Sequence, residues 1–299
     1  MMIFDSRIRS LEPFVPHDAA DAIAALPAGS YDEAIDANVK KRFSRITDAT
    51  FQRIIYDVED VSVSGVVVQP EQLHEGKHPI LIFNRGGSGH AGVLVLPVIL
   101  RYMLPFAQKG YLVFGSNYRG NDGGTGKEQF GGADVTDILT LIEIAKQHPG
   151  WDGKNIYMLG GSRGGMMTYL CIKHGAPLNA AVTFGGISDV SRGEGRWQEL
   201  LERYYSRLPE PRPSLETMIE ERSAIAWPDS LMRTPLLLMH GLADDVVTPD
   251  HTQRLAEALS FTNAVFETEY YEGGKHSLST HSAAMIARTH DWFERFKRD

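Results

Sequence analysis

From about residue 60 to residue 271 the chain alternates short β-rich runs with stretches of helical period, and this alternation narrows the fold more than any other feature. VSVSGVVVQ (61–69) alternates along its length, as a half-buried antiparallel strand does. PILIFN (79–84), YLVFGSN (111–117), NIYMLG (155–160), NAAVTFG (179–185), TPLLLMHG (234–241) and AVFETEYY (264–271) complete the series of strands. Between two of them Val135, Ile138, Leu139 and Ile142 recur at helical spacing behind Asp134, and Pro149 closes that helix. Strands separated by helices require right-handed crossovers. The expected class is therefore α/β, a doubly wound, mostly parallel sheet with helices on both faces.

Two segments stand outside the alternation. Residues 1–55 read as an irregular helical arm, interrupted by Pro13, Pro16 and Pro27 and packed on a main domain of residues 56–299. Residues 191–233 place Trp197, Leu200, Leu201, Tyr204 and Tyr205 at helical spacing before a proline-rich turn, LPEPRP (208–213). Inserted after a core strand, this stretch is expected to form a small helical cap over the carboxyl edge of the sheet, where open α/β sheets bind ligands.

Composition removes several classes of function. The 299 residues are 42% hydrophobic and carry a net charge of −8, with Lys and Arg scattered along the chain. Such a chain offers no electrostatic footprint for nucleic acid or an anionic membrane. The opening MMIF meets a charge at Asp5, and no uncharged span is long enough to cross a bilayer, so a cytoplasmic location is expected. Cys171 is the sole cysteine, which excludes an intrachain disulfide and a multi-cysteine zinc site. A homo-oligomer is compatible with the sequence.

The chemistry converges on GGSRGG (160–165). Glycine inside regular structure costs about 0.5–1 kcal/mol relative to alanine, so four of them around one serine mark a bend that a Cβ would obstruct. Gly160-Gly161-Ser162-Arg163-Gly164 fits G-x-S-x-G, with NIYML before it and the helix-like MMTYLCIKH after it. That strand–turn–helix setting is a nucleophile elbow, in which Ser162 is exposed on a strained turn.

A serine hydroxyl needs a base, and the base needs an orienting acid. In chain order after the elbow come Asp244, in HGLADDVVTP (240–249), and His276, in YYEGGKHSLST (270–280). Each follows a strand directly, so the sheet carries both to its carboxyl edge. Asp245 competes with Asp244 for the acid role, but is better suited to capping the turn. The backbone N–H of Arg163 is a candidate oxyanion donor, and a second is expected from Gly87 or Ser88, in the loop Arg85-Gly86-Gly87-Ser88-Gly89.

GGSRGG, HGLADDVV, YYEGGKH and NYRGNDGGTG (117–126), in this order-compatible set, resemble the α/β-hydrolase catalytic domain of the prolyl oligopeptidase (S9) family over roughly residues 60–297. The resemblance implies Ser162 as nucleophile, Asp244 as acid and His276 as base, acting without cofactor or metal on a short peptide or small ester. It also implies a difference in specificity. Fewer than 60 residues precede the resembling region, too few for the family's β-propeller. Arg85 also stands where the family places an oxyanion-binding tyrosine. A small-peptide serine peptidase is the leading expectation, with a carboxylesterase as the alternative. Arg85 and Tyr118 are the candidate substrate contacts. Arg85, Arg119 and Arg163 either favour a carboxylate-bearing substrate or pair with Asp122, Asp134 or Glu128.

Rival classes fare worse. Gly87-Ser88-Gly89-His90-Ala91-Gly92 matches the dinucleotide fingerprint of an oxidoreductase, but the next strand ends in Ser116 and Asn117 where that fingerprint needs an acid. A phosphate-binding loop fails because Asn121 and Glu128 replace a required glycine and a required Ser or Thr around Gly126-Lys127. For a metal site there is no H-E-x-x-H, and His276 with His281 is an ordinary pair in a chain of 11 histidines.

Overall fold

The computed structural model describes residues 4–14, 43–192, 196–206, 208 and 211–299. Nine strands of the described residues make a mixed, mostly parallel sheet. Two compact units result, Met1–Lys127 with Thr136–Asn155, and Glu128–Val135 with Ile156–Asp299. No helix of the described residues is long and apolar enough to cross a membrane.

In the first unit β1 (Ile8–Pro13), β2 (Ala49–Val58), β3 (Val61–Pro70), β4 (His78–Asn84) and β5 (Leu112–Ser116) lie in the order β1-β2-β3-β5-β4. β2 and β3 form a hairpin from Ala49↔Pro70 to Val58↔Val61, with Glu59 at φ +54° in its tight turn. β3 continues antiparallel onto β5, and β4 pairs parallel to β5 with Leu81 opposite Val113. Residues of β5 are buried throughout, as a strand covered on both faces must be. Two short helices, α1 (Leu96–Tyr102) and α2 (Leu104–Ala107), return the chain from β4 to β5.

The helical arm expected over residues 1–55 is corrected at both of its described ends. Ile8–Pro13 is a strand paired antiparallel with β2, and β2 itself begins at Ala49. The physical reason is partnership: β1 is a border strand, where proline costs no ladder bond, and its pattern shows only once β2 lies beside it. Most of the arm, including Pro16 and Pro27, lies outside the described residues.

α3 (Asp134–Ala145) is the helix read from the 135–142 spacing, with Val135, Ile138 and Ile142 buried. It leads to β6 (Trp151–Gly161), whose last seven residues are buried and belong with the second unit from Ile156 on. There α4 (Arg163–Lys173), β7 (Ala180–Phe184), α5 (Arg196–Tyr205), α6 (Leu215–Arg222), β8 (Leu236–Gly241), α7 (Asp250–Ser260), β9 (Phe266–Tyr271) and α8 (Ser282–Arg295) follow. The strand order is β6-β7-β8-β9, every pair parallel. β7 and β8 are buried along their whole length, and β9 at the border is only partly covered. Among the described residues of 191–233 lie the helices α5 and α6, and Leu201 and Tyr204 of α5 are buried.

Candidate active site

Parallel register decides which loops can meet. Gly161 lies opposite Phe184, Phe184 opposite Met239, and Gly241 opposite Tyr271. The chain therefore leaves β6, β7, β8 and β9 along one carboxyl edge. Ser162, Gly185, Asp244 and His276 all lie in the segments that emerge there.

Ser162 is the single residue between β6 and α4, at φ +57° and ψ −124°. That conformation costs a residue with a Cβ about 1–3 kcal/mol, so the surroundings must impose it. Its N–H donates to Phe184 O at 3.0 Å, and its carbonyl accepts from Gly165 N–H at 2.9 Å and Ile187 N–H at 3.2 Å. The hydroxyl does not cap the helix beside it. Gly160 makes the turn sterically feasible, since a Cβ there would stand 2.1 Å from the Gly164 carbonyl oxygen.

Asp244 is 5% exposed, and its two oxygens divide their work. Oδ1 accepts the Val246 and Val247 N–H groups at 2.9 and 3.0 Å, and Oδ2 accepts the His276 Nδ1–H at 2.8 Å. Burial raises the Asp244 pKa, but the hydrogen bonds of His240 and His276, the charge of His276 and the Val246 amide outweigh it and hold the carboxyl well below its usual range. With Nδ1 turned to the carboxylate, Nε2 is the ring nitrogen left to act on a hydroxyl. The His276 side chain is 24% exposed. Asp245, by contrast, is exposed, and Asp244 is the aspartate that meets His276.

Gly185 links this pair to the elbow. Its φ is +52°, and a Cβ at this position would lie 3.0 Å from Asp244 Oδ2 and 3.3 Å from His276 Nδ1. The neighbouring Phe184 carbonyl holds the Ser162 amide. Among the described residues no hydrogen bond joins Ser162 to His276 in this structure.

Arg163 opens α4, with its amide in the first turn and its side chain 1% exposed. The guanidinium pairs with Glu128 and Asp134 and lies 4.9 Å over the Phe130 ring. Asp134 also accepts the Gln129 and Gly131 N–H groups, while Tyr204 donates to Glu128 at 3.0 Å and stacks on Phe130. Arg222 donates to the Phe130 carbonyl at 2.8 Å. α5 and α6 are thereby tied to the residue after the elbow. Sequence reasoning named Glu128 and Asp134 as partners but missed Tyr204 and Arg222, whose contacts span a long loop.

In the first unit, Gly87 and Ser88 lie in a turn closed by the Ala91 N–H donating to Ser88 O at 3.2 Å. Arg85 is fully buried, and its guanidinium donates to the carbonyls of Asn117, Gly86, Ala91 and Gly89. Tyr118 is equally buried, at φ +61°, and its hydroxyl donates to the Arg85 carbonyl at 2.9 Å while its ring lies under the guanidinium. Both residues, named from sequence as candidate substrate contacts, are buried here and hydrogen-bonded within the loop. Arg119 is likewise committed, to Asp137 at 2.7 and 3.0 Å.

Comparison with known proteins bears on the family and the fold. Residues 100–298 match the model of the prolyl oligopeptidase family, Peptidase S9. The chain is 30% identical over 257 residues to the uncharacterized peptidase YtmA of Bacillus subtilis (strain 168), covering 83% of this chain and 95% of that protein. Its fold is similar to the acylaminoacyl peptidase of Pyrococcus horikoshii, with TM-score 0.67 at 22% identity over 86% of this chain and 43% of that one. The Pyrococcus furiosus esterase Pf2001 is similar along most of its length, with TM-score 0.60 at 19% identity over 82% of this chain and 92% of that one. The chain thus spans under half of the peptidase structure it resembles and nearly all of the esterase, and by its family match and its curated relative it belongs to the prolyl oligopeptidase family of hydrolases.

Proposed function

We propose that this hydrolase is a serine peptidase acting on small peptides through an acyl-enzyme. His276 Nε2 takes the Ser162 hydroxyl proton as the oxygen attacks the acyl carbon, and Asp244 holds the ring through Nδ1–H. His276 then returns the proton to the leaving amine, and water repeats the sequence on the acyl-enzyme. The Arg163 amide would stabilise the oxyanion. The observation that carries the reading is the 2.8 Å His276–Asp244 bond at the sheet edge from which the strained Ser162 also emerges. The missing serine–histidine bond is compatible with it, because such contacts are often loose before substrate binds.

A carboxylesterase remains the second reading. Arg85, standing where the family places a tyrosine, has its guanidinium buried among carbonyls, and so cannot supply that tyrosine's hydroxyl. Turnover of aminoacyl and prolyl p-nitroanilides against p-nitrophenyl esters separates the two. The proposal expects anilide hydrolysis that disappears in Ser162→Ala. Ester hydrolysis alone would support the second reading, and Ser162-independent turnover of both would refute both.

A further inference from the structure

Asp244 faces a second histidine. His240, the penultimate residue of β8, is fully buried, and its Nε2 lies 2.8 Å from the Val247 carbonyl oxygen and 3.3 Å from Asp244 Oδ2, the oxygen His276 also uses. Its Nδ1 lies 2.7 Å from the Thr252 hydroxyl of α7.

These contacts fix the ring's proton. A carbonyl and a carboxylate can only accept, so Nε2 must carry the hydrogen, and Nδ1 then accepts from the Thr252 O–H. A histidine satisfied only for packing would need Val247 and Thr252 alone. Here the same N–H also faces the carboxylate, and every accepting side of Asp244 is occupied: two amides on Oδ1, two imidazoles at Oδ2. Val247 closes the circuit, since its N–H holds Oδ1 while its carbonyl holds His240.

We propose that His240 is a positioning residue for the Asp244–His276 pair, its Nε2–H fixing the carboxylate oxygen that orients His276. The inference rests on the serine-hydrolase reading above. By sharing Oδ2, His240 limits how much negative charge the carboxylate directs at His276, and therefore limits how strongly the imidazolium is held. Removing it should make His276 easier to protonate and Asp244 free to rotate. The other titratable group facing His240 is His251 of α7, which burial brings down to about 4 and which is neutral at neutral pH. Asp189, Asp250 and Arg254 act on His251 in turn.

The test is the rate of inactivation by a fluorophosphonate across pH, in wild type, His240→Leu, His240→Gln and Thr252→Val. In His240→Leu the inference expects a plateau rate about ten-fold lower and an acid limb about half a pH unit higher. Glutamine restores an N–H near the Nε2 position, and should recover most of both effects. Thr252→Val, which keeps the histidine but releases its ring, should move the limb the same way by less, and decides the matter if His240→Leu does not fold. A limb that stays at the wild-type pH in every variant, or a rate loss that glutamine does not recover, overturns the inference alone. Wild-type protein that is not inactivated, or Ser162→Ala that is inactivated equally, overturns the serine-hydrolase reading and this inference together.

Discussion

Arg85 and Arg163 invite comparison, one in each unit. Each is followed by two glycines, each is at most 1% exposed, and each has an aromatic ring under its guanidinium. Their partners differ. Arg85 donates to neutral carbonyls of the loop it begins, whereas Arg163 pairs with two buried carboxylates and, through Glu128 and Phe130, reaches the helical stretch that holds Tyr204. A guanidinium among carbonyls pins a local turn. A guanidinium between carboxylates also neutralises them, so its loss strands charge and not only hydrogen bonds.

That distinction predicts a large gap between two matched substitutions. Arg163→Leu leaves Glu128 and Asp134 without their cation and should cost about 3–5 kcal/mol in urea denaturation at neutral pH. Burial raises the Asp134 pKa, and the charge of Arg163, the backbone hydrogen bonds it accepts and the charge of Arg222 together outweigh it and hold the group below its ordinary value of 3.8. Without Arg163 the balance shifts toward burial, and Asp134 becomes easier to protonate although the Arg222 charge still opposes it. The deficit relative to wild type should therefore shrink as pH falls from 8 to 5, and adding Asp134→Asn should recover part of it. A pH-independent deficit would break the comparison.

The next effect tests the units through one histidine each. Burial first, then the charge of His78, brings His148 down to about 4, and burial first brings His251 down to about 4, both from 6.5. Depressed values favour the neutral form, so stability present above pH 6.5 is lost as pH falls toward 4, by up to about 3 kcal/mol for each group. His148→Asn keeps an acceptor near the Nδ1 position for the Gly150 N–H and should flatten its share of this slope in denaturant titrations from pH 7 to 4.5. An unchanged slope would show that His148 titrates normally.

Arg85→Leu follows, at about 2 kcal/mol, because the loop carbonyls lose their donor while no opposite charge is stranded. A cost equal to that of Arg163→Leu would erase the distinction. The smallest effect is that of Tyr204→Phe, which removes one hydrogen bond to Glu128 but keeps the ring on Phe130, at about 1 kcal/mol. Thermal unfolding of the single variant measures it directly.

The same contrast marks how far the sequence is legible. β4 to β8 are readable because strands covered on both faces are apolar runs of their own, and the elbow is readable because its glycines are neighbours in sequence. β1 and β2 are not, since a border strand ending in Pro13 takes its conformation from a partner more than 35 residues away, Leu11 lying opposite Ile54. Asp244 and His276 can be nominated by chain order. The contact of His240 with Asp244 could have been suspected from the spacing of HGLAD, but whether a strand residue turns toward the following loop is set by three-dimensional packing. Partner choice for Arg163 was open for a like reason: Asp122, Asp134 and Glu128 are equally acidic in sequence, and only the fold separates Asp122, which faces Arg53, from the other two.

The central claim is that Ser162 is the reactive hydroxyl, and labelling with a fluorophosphonate followed by peptide mass spectrometry addresses it most directly. The account predicts a single adduct on Ser162, abolished in Ser162→Ala and strongly slowed in His276→Ala. An adduct on another serine, or equal labelling of the Ser162→Ala protein, would contradict it.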